Sequence, residues 1–176
     1  MFFLKFISKF IKVLQSGESP PLIAAGFAMG FVVGMTPFLT LQNVLILVVA
    51  FLTKVNLASV FFAIFAFSFI TYLFDPLYHD LGFFVLASVD GLKPMWTAMY
   101  NWPVAPFTRF NNTVEMGSLL VALLLALPVY FGAKRGIILY RRTWGDRIAN
   151  SKIVKAVKGS GLYKWYVRIR DLEWNS

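Results

Sequence analysis

The 176-residue chain is 59% hydrophobic and only 14% charged, against about 25% charged residues in soluble domains, so it reads as a membrane protein. It contains no cysteine and a single histidine, His79, which excludes disulfides, thiolate nucleophiles and Cys-based or multi-His metal centres within one chain. The net charge of +9 gathers at the two ends: three bases against one acid up to Glu18, three against four over 19–133, and eleven against three from 134 onward.

Met1–Gln15 alternates phenylalanines with lysines at helical spacing. Lys5, Ser8, Lys9, Lys12 and Gln15 share one face, and Phe3, Phe6, Phe10 and Val13-Leu14 fall mostly opposite. This predicts an amphipathic helix within residues 1–18, lying in the plane of the cytoplasmic leaflet. A cleavable signal peptide would need an unbroken apolar core, and the lysines interrupt this one.

No charge falls between Glu18 and Lys54, a run longer than one membrane-spanning helix requires. Gly26, Gly30 and Gly34 recur at every fourth position, a smooth stripe on a helix that suits close packing in lipid. Thr36-Pro37 then interrupts the run, because proline lacks an N–H and disfavours helical angles at the residue before it. The pattern predicts two short apolar helices, about Leu22–Met35 and Phe38–Thr53, forming a broken re-entrant hairpin over 22–53. Irregular backbone at membrane depth must be shielded by protein or face a wet cavity. Thr40, Gln42 and Asn43 are the polar candidates to satisfy the break. Two ordinary tilted spans joined by a tight turn are the alternative for the same residues.

Val55–Phe74 is uncharged and long enough for a full span, and Asp75-Pro76 is expected to stop it. Asp75, Pro76, His79 and Asp80 then form an external cap, in which Asp75 and His79 stand at i,i+4 and can share a helix face. Leu81–Val89 is apolar but too short to cross. Gly91–Thr113 brings prolines, Trp96, Tyr100 and Trp102, residue types that favour the membrane–water boundary, and completes an external segment over 75–113. Met116–Ala133 is the last span, with Pro128 expected to kink it. Lys134 opens a basic cytoplasmic tail over 134–176. Its Asp146–Lys158 suits a basic helix, and Leu162–Leu172 fits either an amphipathic helix or a strand.

Several stretches together resemble a known family: SPPLIAAGFAMGFVVGMTPF from Ser19, then Gln42, Asn56-Leu57, and DPLYHDLG over Asp75–Gly82. Residues 19–82 are similar to the bacterial inner-membrane family catalogued as domain of unknown function 2062. The resemblance implies a polytopic inner-membrane protein and implies no reaction.

The expected architecture is an all-α polytopic membrane protein. A broken glycine-rich hairpin is joined by two full transmembrane helices, with a transmembrane domain over 19–133 and both termini cytoplasmic, since basic flanks stay inside. The sequence offers no phosphate-binding loop, metal-ligand set or catalytic constellation, so neither an enzyme nor a cofactor is expected. The expected role is a non-enzymatic inner-membrane component of an envelope or lipid-trafficking assembly, serving as a lipid groove or a partner-helix socket. The alternative is a small-solute or ion transporter or channel with its site at the helix break. Expected partners are phospholipids, whose anionic headgroups suit the basic ends, and a larger envelope membrane protein or a second copy of the chain. Nucleic acid is not expected, because a basic tail beside a span is ordinarily topological. The lining of the break discriminates: converging polar groups for a transporter, an apolar groove open to the bilayer for a lipid or scaffold role.

Overall fold

A computed structural model describes residues 13–14 and 17–145. The helix expected over Met1–Gln15, apart from helical Val13 and Leu14, and the tail past Gly145 lie outside these residues. The chain divides into two compact units, Met1–Ile137 and Ile138–Ser176. The second is described only over the end of a long helix and a π-helical turn, Arg141–Gly145. Among the described residues all regular structure is helical.

Helix α1 (Pro20–Met35) starts on two prolines, tolerated there because first-turn N–H groups have no helical partner. It ends where Thr36, preceding Pro37, adopts an extended conformation (φ −108°, ψ 156°). Residues 36–40 are irregular, and α2 (Leu41–Leu52) begins after extended Thr40. The two helices have 16 and 12 residues, so they rise about 24 and 18 Å, both short of the roughly 30 Å bilayer core.

Helix α3 (Leu57–Ile70) is capped by Asn56, whose side-chain oxygen accepts from the Ser59 N–H at 2.8 Å, satisfying one of the free first-turn donors. Asp75-Pro76 does not stop this span as expected. The chain tightens into a 3-10 turn at Thr71–Phe74 and resumes as α4 (Asp75–Phe83), then a π-helical turn at Phe84–Ser88. The proline falls in the first turn of α4, where no N–H is needed, and Phe74 (φ −103°, ψ 0°) absorbs the change of path. The stretch from Leu81 to Ser88 accordingly continues one helical run over Leu57–Ser88, 32 residues long, and Val89 ends it in an extended conformation. The segment expected to hug an interface folds into short helical pieces, Asp90–Leu92, α5 (Lys93–Tyr100) and Ala105–Thr108.

Arg109 takes a left-handed conformation (φ 55°) and turns the chain toward α6 (Thr113–Tyr140), which continues through Pro128. Lys134 and Arg135 therefore lie within a helix that outruns the expected span of 116–133. The helical runs Leu57–Ser88 and Thr113–Thr143 are long and apolar enough to cross a membrane, whereas α1 and α2 are shorter apolar helices.

Helix α1 is the centre of the packing, with Ile23, Ala24, Phe31 and Val33 buried. Gly26, Gly30 and Gly34 all face α3. A Cβ on Gly26 would lie 2.5 Å from the Asn56 carbonyl oxygen, one on Gly30 would collide with the Val60 carbonyl, and one on Gly34 would come 3.0 Å from that of Ile64. Ser59 Oγ lies 2.9 Å from the Ile23 carbonyl and 2.7 Å from that of Asn56, its one proton serving one of them at a time, and Phe31 meets Phe67 edge-on with centroids 4.7 Å apart. A second close crossing joins α4 to α6: Gly82 abuts the Thr113 backbone, and Gly117 abuts that of Tyr78. Small residues admit such backbone approaches, which packing in lipid rewards.

Candidate functional site

The break between α1 and α2 leaves carbonyl groups without helical partners, and buried polar backbone is costly unless it is hydrogen-bonded. Side chains meet most of that demand. Thr71 Oγ1 donates to the Met35 carbonyl at 2.8 Å, and Asn43 Nδ2 donates to that of Pro37 at 2.8 Å. The Thr36 hydroxyl lies 3.0 Å from the Val32 carbonyl and 2.9 Å from Asn43 Oδ1; its one proton serves one of them at a time. Thr40 Oγ1 reaches the Pro37 carbonyl at 3.4 Å. Thr36, Thr40 and Asn43 are all buried.

Gln42 points elsewhere. Its Nε2 donates to Oε1 of Glu115, in the first turn of α6. Glu115 is 1% exposed, and its backbone N–H is capped by Asn112 Oδ1 at 3.1 Å. Gln42 Oε1 and Glu115 Oε2 are buried and make no hydrogen bond among the described residues. The neighbouring Thr40 hydroxyl can turn to the carboxylate, and Arg109 supplies the opposing charge. A buried carboxylate is stabilised only by such partners, so the start of α2 and the start of α6 are tied through a polar pair inside an apolar body.

Beside this pair a groove of about 650 Å³ opens along the break. Phe38 from the break and Phe61, Phe65 and Phe69 from α3 make its walls. The polar groups in its lining are few: Thr36, Ser68 and Ser118, with Thr71, Tyr72 and Asp75 toward one end. Gly34 and Pro37 also border it, so the last glycine of the stripe and the proline of the break both shape it, whereas Gly26 and Gly30 lie in the helix contact.

The expected external cap is dispersed. Asp75 is half-buried at the groove, and Pro76, His79 and Asp80 are exposed. His79 Nδ1 pairs with Thr113 Oγ1 at 2.7 Å, a contact with α6 and not with Asp75. Two features escaped the sequence reading. Glu115 stands where an apolar run begins, and a charge there reads as a boundary marker. Gly82 and Gly117 are single glycines on different helices, without the periodic repeat that drew attention to α1.

The family described as "Uncharacterized protein conserved in bacteria (DUF2062)" matches residues 5–144. An "Uncharacterized protein" of Treponema pallidum (strain Nichols) is 26% identical over 151 residues, covering 86% of this chain and 93% of the relative. No solved structure matches.

Proposed function

From its membership of the bacterial family DUF2062, a name that specifies no activity, we propose that this chain is a non-enzymatic, multi-pass inner-membrane protein that holds lipid in the groove at its helix break, as part of an envelope or lipid-trafficking assembly. The observation that carries the reading is the groove's lining: aromatic walls with a few hydroxyls and one carboxylate. Ligand sites of about 300–1,000 Å³ are typically apolar with a few placed polar groups, and an amphiphile offers the matching combination.

In this reading α1 and α2 form a re-entrant hairpin, since each is too short to cross alone. Both basic ends lie on the cytoplasmic side, where their lysines and arginines meet anionic headgroups. The runs Leu57–Ser88 and Thr113–Thr143 cross the bilayer, and the segment between them lies outside. The exposed face of α2, with Val44, Leu45, Val48 and Leu52, borders lipid or a partner helix of a larger envelope protein or a second copy.

Native mass spectrometry of the chain purified in mild detergent tests the groove. Wild type should retain lipid, and Ser68→Trp, which fills the groove, should lose most of it while keeping its fold. Equal retention by both proteins would overturn the lipid-groove reading. The second reading, a small-solute or ion transporter acting at the break, is favoured by the buried Gln42–Glu115 pair, because ionisable groups at membrane depth are generally functional. It requires solute or ion flux in proteoliposomes that Glu115→Gln reduces; the lipid-groove reading requires none.

A further inference from the structure

We infer that the groove selects an amphiphile bearing a protonated primary amine, an aminophospholipid such as phosphatidylethanolamine, with Asp75 as the group that reads the headgroup. The inference rests on the lipid-groove reading and adds the chemical class of its occupant.

Among the described residues, Asp75 is the one charged residue lining the groove. It is half-buried, and the ion pair found among the described residues, Lys93–Asp90, lies elsewhere. No lysine or arginine among the described residues lines the groove, so an anionic headgroup entering it meets a carboxylate without a compensating cation from them. An ammonium group instead supplies both the opposite charge and N–H donors, the combination that makes the stronger charge-assisted hydrogen bonds.

Position supports the same occupant. Asp75 stands eighteen residues beyond Leu57, about 27 Å along a helix at 1.5 Å per residue. With Leu57 near one face of a roughly 30 Å hydrocarbon core, Asp75 lies close to the other, at headgroup level. The phenylalanine walls run from there toward the membrane interior, as acyl chains do. Tyr72, exposed beside Asp75 in the same lining, offers a hydroxyl donor to the headgroup phosphate. The acidic end of the groove thus complements the amine and the aromatic part complements the chains.

The test uses the full chain in mild detergent and native mass spectrometry. Phosphatidylethanolamine, phosphatidylglycerol and phosphatidylcholine with identical acyl chains are titrated in, and soluble ethanolamine is added as competitor. Phosphatidylethanolamine should bind roughly tenfold more tightly than the other two, as expected for one charge-assisted hydrogen bond. Asp75→Asn should abolish that preference while still binding lipid. Asp80→Asn, an exposed acid on the same helix, should leave it intact. Equal binding of the three lipids, or an unchanged preference in Asp75→Asn, would overturn the inference and leave the groove reading standing. Displacement of the lipid by millimolar ethanolamine would overturn it in favour of a soluble amine. Absence of any lipid binding by the natural chain would overturn both readings. If Asp75→Asn fails to fold, the three-lipid comparison on the natural chain decides alone.

Discussion

Gln42 and Glu115, 73 positions apart in sequence, are joined by a hydrogen bond from the glutamine amide to the carboxylate. The bond ties the second half of the broken hairpin to the last long helix. It also answers the demand that burying Glu115 creates, because a carboxylate deprived of water needs donors in its place.

Removing the donor should therefore be costly. Gln42→Leu leaves the carboxylate without its amide partner, and the expected loss is about 2 kcal/mol or more, the penalty of an unsatisfied buried charged group. Leu41→Ala, at a half-buried neighbouring position, should cost less. Thermal unfolding in mild detergent compares them directly; a smaller loss for Gln42→Leu would refute the role of the pair.

The glycine contacts make a second prediction. Gly30→Leu has no room against the Val60 backbone and should destabilise by more than the roughly 1–3 kcal/mol usual for overpacking. Gly82→Ala and Gly117→Ala, which press on the Thr113 and Tyr78 backbones, should also lower thermal stability. Gly17→Leu, whose added side chain meets nothing within 4 Å of its first carbon among the described residues, should be close to neutral. Wild-type melting of Gly30→Leu would remove the packing role.

Membrane sidedness can be read chemically, since the chain has no native cysteine to confuse the signal. Single cysteines at Ser16, Thr97 and Ser160 are treated with an impermeant thiol reagent in cells whose outer membrane has been permeabilised. Only the Thr97 site should react. The reverse pattern would invert the topology.

The depth of the break is the fourth expectation. Leu39, 74% exposed in the irregular stretch, accepts a spin label without disturbing buried Thr36. A re-entrant hairpin predicts high accessibility to oxygen and low accessibility to a polar nickel reagent there. High nickel and low oxygen accessibility would put the turn in water and make α1 and α2 full spans.

The break itself was legible because its causes are local. Proline acts on its own turn and on Thr36, and the fourfold glycine spacing marks a helix face before any neighbour is known. The run through Asp75-Pro76 was not legible, because the same dipeptide that ends most helices can open a new first turn once the preceding residues tighten to a 3-10 path. Glu115 was hidden for another reason. Its partner lies on a different helix, and nothing around either residue in sequence announces the other. The half-buried setting of Asp75 likewise depends on where α3 and α6 place the groove.

The glycine stripe restricts how this protein can breathe. Sliding α1 past α3 by one residue would drive Phe27 or Phe31 into backbone that admits only hydrogen, so the glycine contacts hold the pair in one register. Any widening of the neighbouring groove must then come from its other sides, the five irregular residues after Met35 and the first turns of α6. The Gln42–Glu115 bond joins the first turn of α2, just past those irregular residues, to the first turn of α6. One polar contact therefore holds α2 to α6 on that side of the break, while the glycine contacts hold α1 to α3 on the other.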